Sequence, residues 1–149
     1  MTSVKLFLDT EFNGFNGELI SVALVETGGV NQFYEVLEYS HMTLDPWVAE
    51  NVIPILNKTP TSLKLVQQRL ETFLAKYKSV EVLCDWPEDI SHLCRLLITG
   101  PGKRMQTPRM TFAFKPSLSA YSAFIRHNAL WDAVAIEKDF AAQTKYSGI

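Results

Sequence analysis

The stretch from Leu6 to Phe12 constrains the fold most, because an apolar strand pattern runs directly into two acids. Apolar residues alternate from Val4 onward with a period of two, which predicts a β-strand. Asp9 and Glu11 stand two positions apart, so both carboxylates project from the same side of that strand. Like charges beside an apolar run repel each other and lose hydration, and a divalent cation would remove both penalties. The acids could equally mark a strand that ends in water, so this spacing alone leaves the choice open.

Length, charge and cysteine content limit the function classes. A chain of 149 residues suits one domain, so residues 1–149 are expected to form a single domain. The formal net charge of −2 gives no overall positive field, so nucleic acid would need a local basic patch or bridging metal ions. No apolar segment approaches membrane-span length, and no membrane partner is expected. Cys84 and Cys94 are expected to be free thiols in a reducing cytoplasm, since zinc would need a second ligand pair.

The patterns along the chain predict the element order β-β-β-α-β-α-β-α, a single α/β domain with a mixed five-stranded sheet flanked by helices. Short turns make the first three strands antiparallel, and a helix before the fourth makes that strand parallel to its neighbour. The apolar segment 44–58 contains two prolines and predicts short helical turns, which cap the sheet or form a homodimer contact. After the first strand, further strands are expected at 18–26, 32–39, 80–84 and 110–115. Helices are expected to begin at Thr59-Pro60 and to cover about 85–97 and about 129–142. A basic loop is expected at 100–109.

Two further acids stand where a buried face is expected. Asp89 shares its helix face with Leu93, Leu96 and Leu97, so it needs a partner beside the end of the fourth strand. Asp85 has capping-box spacing to the acid at position 88, which would explain it as a helix cap.

The last helix repeats this arrangement. Asp132 stands on the face of Ile136 and Phe140, and Asn128 is the expected N-cap. A favourable helix dipole is the ordinary explanation for an acid there, worth ~0.3–1 kcal/mol when exposed. His127 precedes the helix, where a lone histidine is usually structural. Taken with Asp9, Glu11 and Asp89, the acid at position 132 suits two Mg²⁺ or Mn²⁺ ions ~3.5–4 Å apart, the arrangement that cleaves phosphodiesters.

These motifs resemble those of the DEDDh-type 3′–5′ exonucleases, a ribonuclease H-like group that includes proofreading exonucleases, RNase T and oligoribonuclease. Asp9-Thr10-Glu11-Phe12 matches the D-x-E motif, and His127-Asn128-Ala129-Leu130-Trp131-Asp132 matches H-x-A-x-x-D. The second motif departs from the family pattern, because Asp85 stands at the usual asparagine position and Glu88 at the aromatic one. Alignment on spacing places Asp89 at the metal-binding position of the family, so it is the preferred ligand, and the departures from the pattern keep Asp85 as its alternate. The small size and the segment from Trp47 to Leu56 are similar to the compact, stand-alone exoribonucleases.

The resemblance implies a metal-dependent 3′–5′ exonuclease that releases nucleoside 5′-monophosphates from single-stranded RNA or DNA with a free 3′ end, RNA being favoured. Asp9, Glu11, Asp89 and Asp132 would hold two Mg²⁺ or Mn²⁺ ions, and a neutral His127 would deprotonate the attacking water. The candidate substrate-binding residues are Phe12, Asn13, Gly14, Trp86, Lys103, Arg104, Arg109, Lys115 and Arg126. Phe12 could stack on a base or could instead belong to the core.

Two other functions stay open at this stage. A DNA-directed or proofreading exonuclease shares the same motifs, because recognition of the 2′-hydroxyl often uses backbone groups. A catalytically inactive nucleic-acid-binding module could keep the fold, and loss of metal binding would favour it.

Overall fold

The computed structural model describes residues 3–147, with side chains described through residue 145, and a mixed five-stranded sheet forms its centre. The ends of the expected domain, residues 1–2 and 148–149, lie outside the described residues. In chain order the strands are β1 (Val4–Phe12), β2 (Leu19–Glu26), β3 (Gln32–Val36), β4 (Ser79–Cys84), β5 (Ile98–Gly100), β6 (Lys103–Arg104) and β7 (Arg109–Phe114). The central sheet has the order β3-β2-β1-β4-β7. β1, β2 and β3 pair antiparallel, whereas β4 pairs parallel with β1 and β7, so the predicted mixed ribonuclease H-like sheet is confirmed.

Four α-helices flank the sheet within the described part of the chain: α1 (Pro46–Asn51), α2 (Leu63–Leu74), α3 (Pro87–Leu96) and α4 (Ala129–Ser147). A short 3₁₀ helix, Ile53–Ile55, follows α1. The predicted start of α2 at Thr59-Pro60 is wrong. Thr61 instead forms a parallel bridge with Leu37, which keeps this segment extended, and the Ser62 hydroxyl accepts a hydrogen bond from the Leu65 amide to cap α2.

The alternation along β1 sends its side chains to two separate layers. Leu6 and Leu8 pack in the core cluster that includes the apolar faces of α2 and α3. Phe7 packs on the opposite side of the sheet with Ile136 of α4. Asp9 and Glu11 follow Phe7 with a period of two, so they belong to the side that α4 covers.

The segment 44–58 covers the sheet within the same chain. Val48, Val52 and Leu56 are buried against Ile20 and Val36, so the predicted helical turns and their sheet-capping role are confirmed. The homodimer contact stays a prediction.

Three predicted boundaries differ from the structure. The expected loop at 100–109 contains the β5–β6 hairpin, because the chain reverses after α3 and pairs with itself. The third strand ends at Val36, three residues before the expected Tyr39; Leu37 still donates to the carbonyl of Ile20 in β2 but forms its bridge with Thr61. α4 continues to Ser147, beyond the expected end near position 142. Among the described residues, none of the helices is both long and apolar enough to cross a membrane.

Candidate metal centre

The parallel strands bring the acidic segments to one edge of the sheet. β1 and β4 run in the same direction, so Asp9 and Glu11 lie at the same edge as Asp85, which directly follows β4. Asp9 is buried, Glu11 is half-buried, and the pairing of β1 with β2 becomes irregular between Glu11 and Phe12. The Oδ2 atom of Asp9 is buried without a hydrogen-bond partner. A buried carboxylate oxygen in that condition is unfavourable unless another group compensates its charge.

The connection from β4 into α3 and the first turn of α3 supply the second pair of acids, Asp85 and Asp89. Trp86 is the N-cap of α3 and makes no side-chain capping bond, so the alternative interpretation of Asp85 as the cap is wrong. Asp89 is buried at the head of the stripe formed with Leu93 and Leu96, as predicted. Its Oδ1 accepts a 2.6 Å hydrogen bond from the Thr10 hydroxyl, and its Oδ2 is buried without a partner.

The approach to α4 supplies the remaining groups. The Asn128 side chain accepts a hydrogen bond from the Trp131 amide at 3.2 Å, which confirms the predicted N-cap. Asp132 is buried in the first turn, and its Oδ2 accepts a 3.1 Å hydrogen bond from the amide of His127. Its Oδ1 makes no hydrogen bond and lies 3.7 Å from the Arg126 guanidinium.

The potential metal ligands form two groups. Glu11, His127 and Asp132 each offer an atom within 4.8 Å of the other two. Asp9, Asp85 and Asp89 do the same. Both groups line one cavity of about 200 Å³, whose wall is completed by Thr10, Phe12, Trp86, Ala120 and Arg126. The structure therefore brings together the four predicted ligands, the alternate ligand and the predicted base.

Burial governs the electrostatics of this cavity. Desolvation is the largest cause that raises the pKa of Glu11 to about 8, that of Asp89 to about 7 and that of Asp132 to about 6. Burial, followed by the neighbouring charge of Asp89, raises the pKa of Asp9 well above its usual range. These carboxylates therefore repel one another and lack hydration, which is the condition that a bound cation relieves.

The donor set fits a hard divalent cation. Five carboxylates and one imidazole contribute the atoms of the two groups, and carboxylate oxygens are the ligands that Mg²⁺ and Mn²⁺ prefer. Three carboxylate oxygens, on Asp9, Asp89 and Asp132, are buried without a hydrogen-bond partner. A cation would supply the partner that each of these atoms lacks.

His127 combines a constrained backbone with a lowered basicity. Burial is the main cause that lowers the pKa of its imidazole, and the charge of Arg126 lowers it further, so the ring is mostly neutral at pH 7. Its φ of 66° lies in the left-handed region that few residues other than glycine adopt. Its ring lies edge-on to the ring of Trp47, with 4.8 Å between the centroids.

Three of the expected substrate-binding residues line the cavity: Phe12, Trp86 and Arg126. The Phe12 ring is half-buried and lies 4.8 Å from the ring of His92. The Trp86 side chain is 55% exposed, and its Nε1 donates a hydrogen bond to Glu88.

Asn13 and Gly14 lie outside the cavity lining. The Asn13 side chain donates to the carbonyl of Thr43 at 2.9 Å and accepts from the amide of Asp45 at 2.8 Å. The loop after β1 is thus held against the segment that precedes α1.

Most of the expected phosphate-binding bases lie elsewhere. Arg109 pairs opposite Ser79 at the start of β7, roughly 17 Å along the strand from its other end, where Phe114 pairs with Cys84. Lys103 and Arg104 lie in the small hairpin that follows the far end of α3. Lys115 follows β7 and is exposed outside the cavity lining. Arg126 is therefore the cation of the expected set that lines the cavity. Strand pairing places Arg109 far from the acids, whereas the backbone of Lys115 lies beside Cys84 at the acidic end of β4 but its side chain is not part of the lining.

Sequence reasoning missed Thr10, Ala120 and the contact of Trp47 with His127. Thr10 was predictable, since it stands between the two acids and projects to the side of the sheet on which α3 lies. The positions of Ala120 and Trp47 depend on contacts between distant segments, which no local pattern reports.

No protein-family model matches this chain, and no curated protein is significantly similar to it.

Proposed function

We propose that the protein is a divalent-metal-dependent 3′–5′ exonuclease of the DEDDh type that acts on single-stranded nucleic acid, with RNA as the favoured substrate. The observation that carries this proposal is the meeting of two ligand groups, Glu11–His127–Asp132 and Asp9–Asp85–Asp89, in one cavity. Two adjacent sites of this chemistry suit a phosphodiester, whose attacking and leaving oxygens both develop charge. The direction of attack and the 5′-monophosphate product come from the resemblance of the motifs.

The acids of the cavity would hold two Mg²⁺ or Mn²⁺ ions. The three buried acids, Asp9, Asp89 and Asp132, each have an unpartnered oxygen to contribute. When bound, such ions acidify water and neutralise charge on a phosphate. Glu11 is the fourth expected ligand, and Asp85 lies close enough to Asp9 and Asp89 to share the same ion.

His127 would accept the proton of the attacking water. A general base must be unprotonated before the reaction, and the lowered pKa of this imidazole keeps it so near neutral pH. Arg126, 3.7 Å from Asp132, lies at the cavity wall with a charge that can contact a substrate phosphate.

The cavity favours the end of a single strand. Its volume of about 200 Å³ lies below the ~300–1,000 Å³ of most small-molecule pockets, so only part of a nucleotide fits inside. The exposed Trp86 at its wall offers a face on which an unpaired base can stack. Bases inside a duplex are stacked on both neighbours, so they are not available to this side chain.

The test is a time course on 5′-labelled single-stranded RNA and on DNA of the same sequence, each with Mn²⁺, Mg²⁺ or EDTA. We expect a ladder that shortens from the 3′ end, that is absent in EDTA and that forms faster on RNA. Asp9→Asn should abolish it while the circular dichroism spectrum is kept, and Glu38→Gln, an exposed acid outside the cavity lining, should leave it unchanged.

Three results separate the alternatives. Faster cleavage of DNA would favour a DNA-directed enzyme. Binding of either polymer without cleavage, by folded protein with either metal, would favour an inactive binding module. Full activity of Asp9→Asn would contradict the assignment of the metal ligands.

We also propose a reducing cytoplasm as the compartment, in keeping with the free thiols of Cys84 and Cys94.

A further inference from the structure

A chain of contacts connects the loop after β1 to the imidazole of His127, and we propose that this connection sets the orientation of the ring. We call its members, Asn13, Asp45 and Trp47, the α1 brace. The orientation of the His127 ring can be measured whether or not the protein is a nuclease, whereas its effect on catalysis rests on the proposed function.

The first contact ties two loops together. Both polar atoms of the Asn13 side chain are hydrogen-bonded. Oδ1 accepts from the backbone amide of Asp45 at 2.8 Å, and Nδ2 donates to the backbone carbonyl of Thr43 at 2.9 Å. At Gly14, φ is +74°, and a Cβ added there would lie 3.3 Å from the Asp45 side chain. A side chain at position 14 would be strained by this φ and would require the Asp45 side chain to shift by a few tenths of an ångström.

The second contact fixes the backbone of Trp47. The Asp45 carboxylate accepts hydrogen bonds from the amides of Trp47 at 2.9 Å and Val48 at 3.4 Å, so it caps α1. One turn later the Asn51 side chain donates to the carbonyl of Trp47 at 2.9 Å. Val48 is buried against the sheet, which anchors the helix below Trp47.

The third contact reaches His127. The planes of the Trp47 and His127 rings meet at 81°, with 4.8 Å between their centroids. The backbone of His127 is held separately, because its amide donates to Asp132 and its φ is 66°. The indole thus restricts the remaining freedom, which is rotation of the imidazole about its side-chain torsions.

This arrangement gives the brace an indirect role in catalysis. A general base works only within ~2.6–3.2 Å of the proton that it accepts, and an error of about 1 Å can reduce the rate about 100-fold. Asn13 and Trp47 therefore act as positioning residues through His127. This differs from the substrate contact that the motif resemblance implies for Asn13 and Gly14.

Two measurements test the proposal. The first measurement is a ¹H–¹³C spectrum of the imidazole groups, of which the chain has three. The signals that disappear in His127→Ala are those of His127. Trp47→Ala removes the ring current of the indole and so moves these signals even if the imidazole does not rotate. The deciding variant is Asn13→Ala, which keeps the indole, and we expect it to move the imidazole signals of His127. Asn31→Ala is the matched control, since this asparagine bonds to Glu26 in the turn between β2 and β3, away from the cavity lining.

In kinetic measurements on the RNA substrate, Trp47→Ala should lower kcat about 10- to 100-fold and leave KM within about twofold. Asn13→Ala should lower kcat by a smaller factor. Added to His127→Ala, the Trp47→Ala change should cause no further loss, because both substitutions act on the same base.

Several outcomes would overturn the proposal. One is unchanged His127 signals in Asn13→Ala, which keeps the indole of Trp47. Another is a raised KM at normal kcat, which would make Trp47 or Asn13 a substrate contact. If wild-type protein cleaves neither polymer, the proposed function fails, yet the His127 signals still decide the orientation. Asn13→Ala keeps the test valid if Trp47→Ala does not fold.

Discussion

At the scale of single residues, Asp85 and Asp89 differ in how the fold holds their carboxylates. Asp89 is 1% exposed, lies on α3 and receives a short hydrogen bond from Thr10, whereas Asp85 is half-buried in the connection between β4 and α3. A ligand that is oriented before the ion arrives binds it more strongly, because less conformational freedom is lost. These differences favour Asp89 as the principal ligand and leave Asp85 as a second donor to the same ion.

The hydrogen bond from Thr10 gives a prediction at this scale. Thr10→Val keeps the shape of the side chain but removes the donor, so we expect Mn²⁺ to bind about 10- to 100-fold more weakly, measured by isothermal titration calorimetry. Thr61→Val is the matched control, because the Thr61 hydroxyl is buried without a hydrogen-bond partner. It should bind Mn²⁺ normally and be no less stable than the wild type. Normal affinity in Thr10→Val would mean that this bond does not orient Asp89.

At the scale of elements, the N-terminus of α4 is joined to the chain that follows α1. The Asn128 side chain donates to the carbonyl of Ile55 at 2.9 Å and to the hydroxyl of Tyr34 at 3.3 Å, while its oxygen caps α4. Tyr34 in turn donates to the carbonyl of Leu56 at 2.6 Å. One amide therefore holds together β3, the end of the 3₁₀ helix and the helix that carries Asp132.

This junction predicts an unusually sensitive helix cap. Asn128→Ala should lower the free energy of unfolding by about 2–3 kcal/mol, since it removes the cap and leaves the partly buried carbonyl of Ile55 without this donor. Ser62→Ala removes the exposed cap of α2 and should cost only about 1 kcal/mol. Urea titrations of both variants provide the comparison. Equal losses would show that the bonds to Ile55 and Tyr34 contribute little to stability.

At the scale of the whole molecule, the cavity makes stability depend on pH and on metal. Without a cation, Glu11, Asp89 and Asp132 keep their protons in the folded chain up to pKa values of about 8, 7 and 6. In the unfolded chain the same groups lose them near pH 4. The folded state therefore binds more protons between these limits, so its stability falls as the pH rises through them.

We therefore expect the free energy of unfolding in EDTA to decrease from about pH 5 to pH 8, measured by urea titration at several pH values. Excess Mn²⁺ should reverse the decrease at pH 8, because the ions bind the ionised carboxylates of the folded chain alone. Glu11→Gln should make the profile in EDTA flatter, and Glu38→Gln should not. A stability in EDTA that rises over this range would contradict the raised pKa values.

Local patterns predicted the parts of the molecule that depend on periodicity. The order of strands and helices, the shared side of Asp9 and Glu11, and the buried face of Asp89 all follow from repeats of 2 or about 3.6 residues. The start of α2 could not be predicted in this way, because a bridge between Thr61 and Leu37 competes with the cap that Thr59 would provide. The distance between Arg109 and the acids depends on the direction of β7 relative to β4. Because the two strands are parallel, Arg109 lies at the end of the sheet opposite the acids.

The spread of the cavity residues along the chain, from Asp9 to Asp132, has a consequence for biosynthesis. A ribosome must release α4 before Glu11 can meet His127 and Asp132, so a nascent chain that has made β1 to β7 holds only the group of Asp9, Asp85 and Asp89. Contacts between such distant positions also form late in folding, since long loops must close first. The proposed nuclease therefore gains its second ligand group, and with it the proposed general base, only after α4 has left the ribosome.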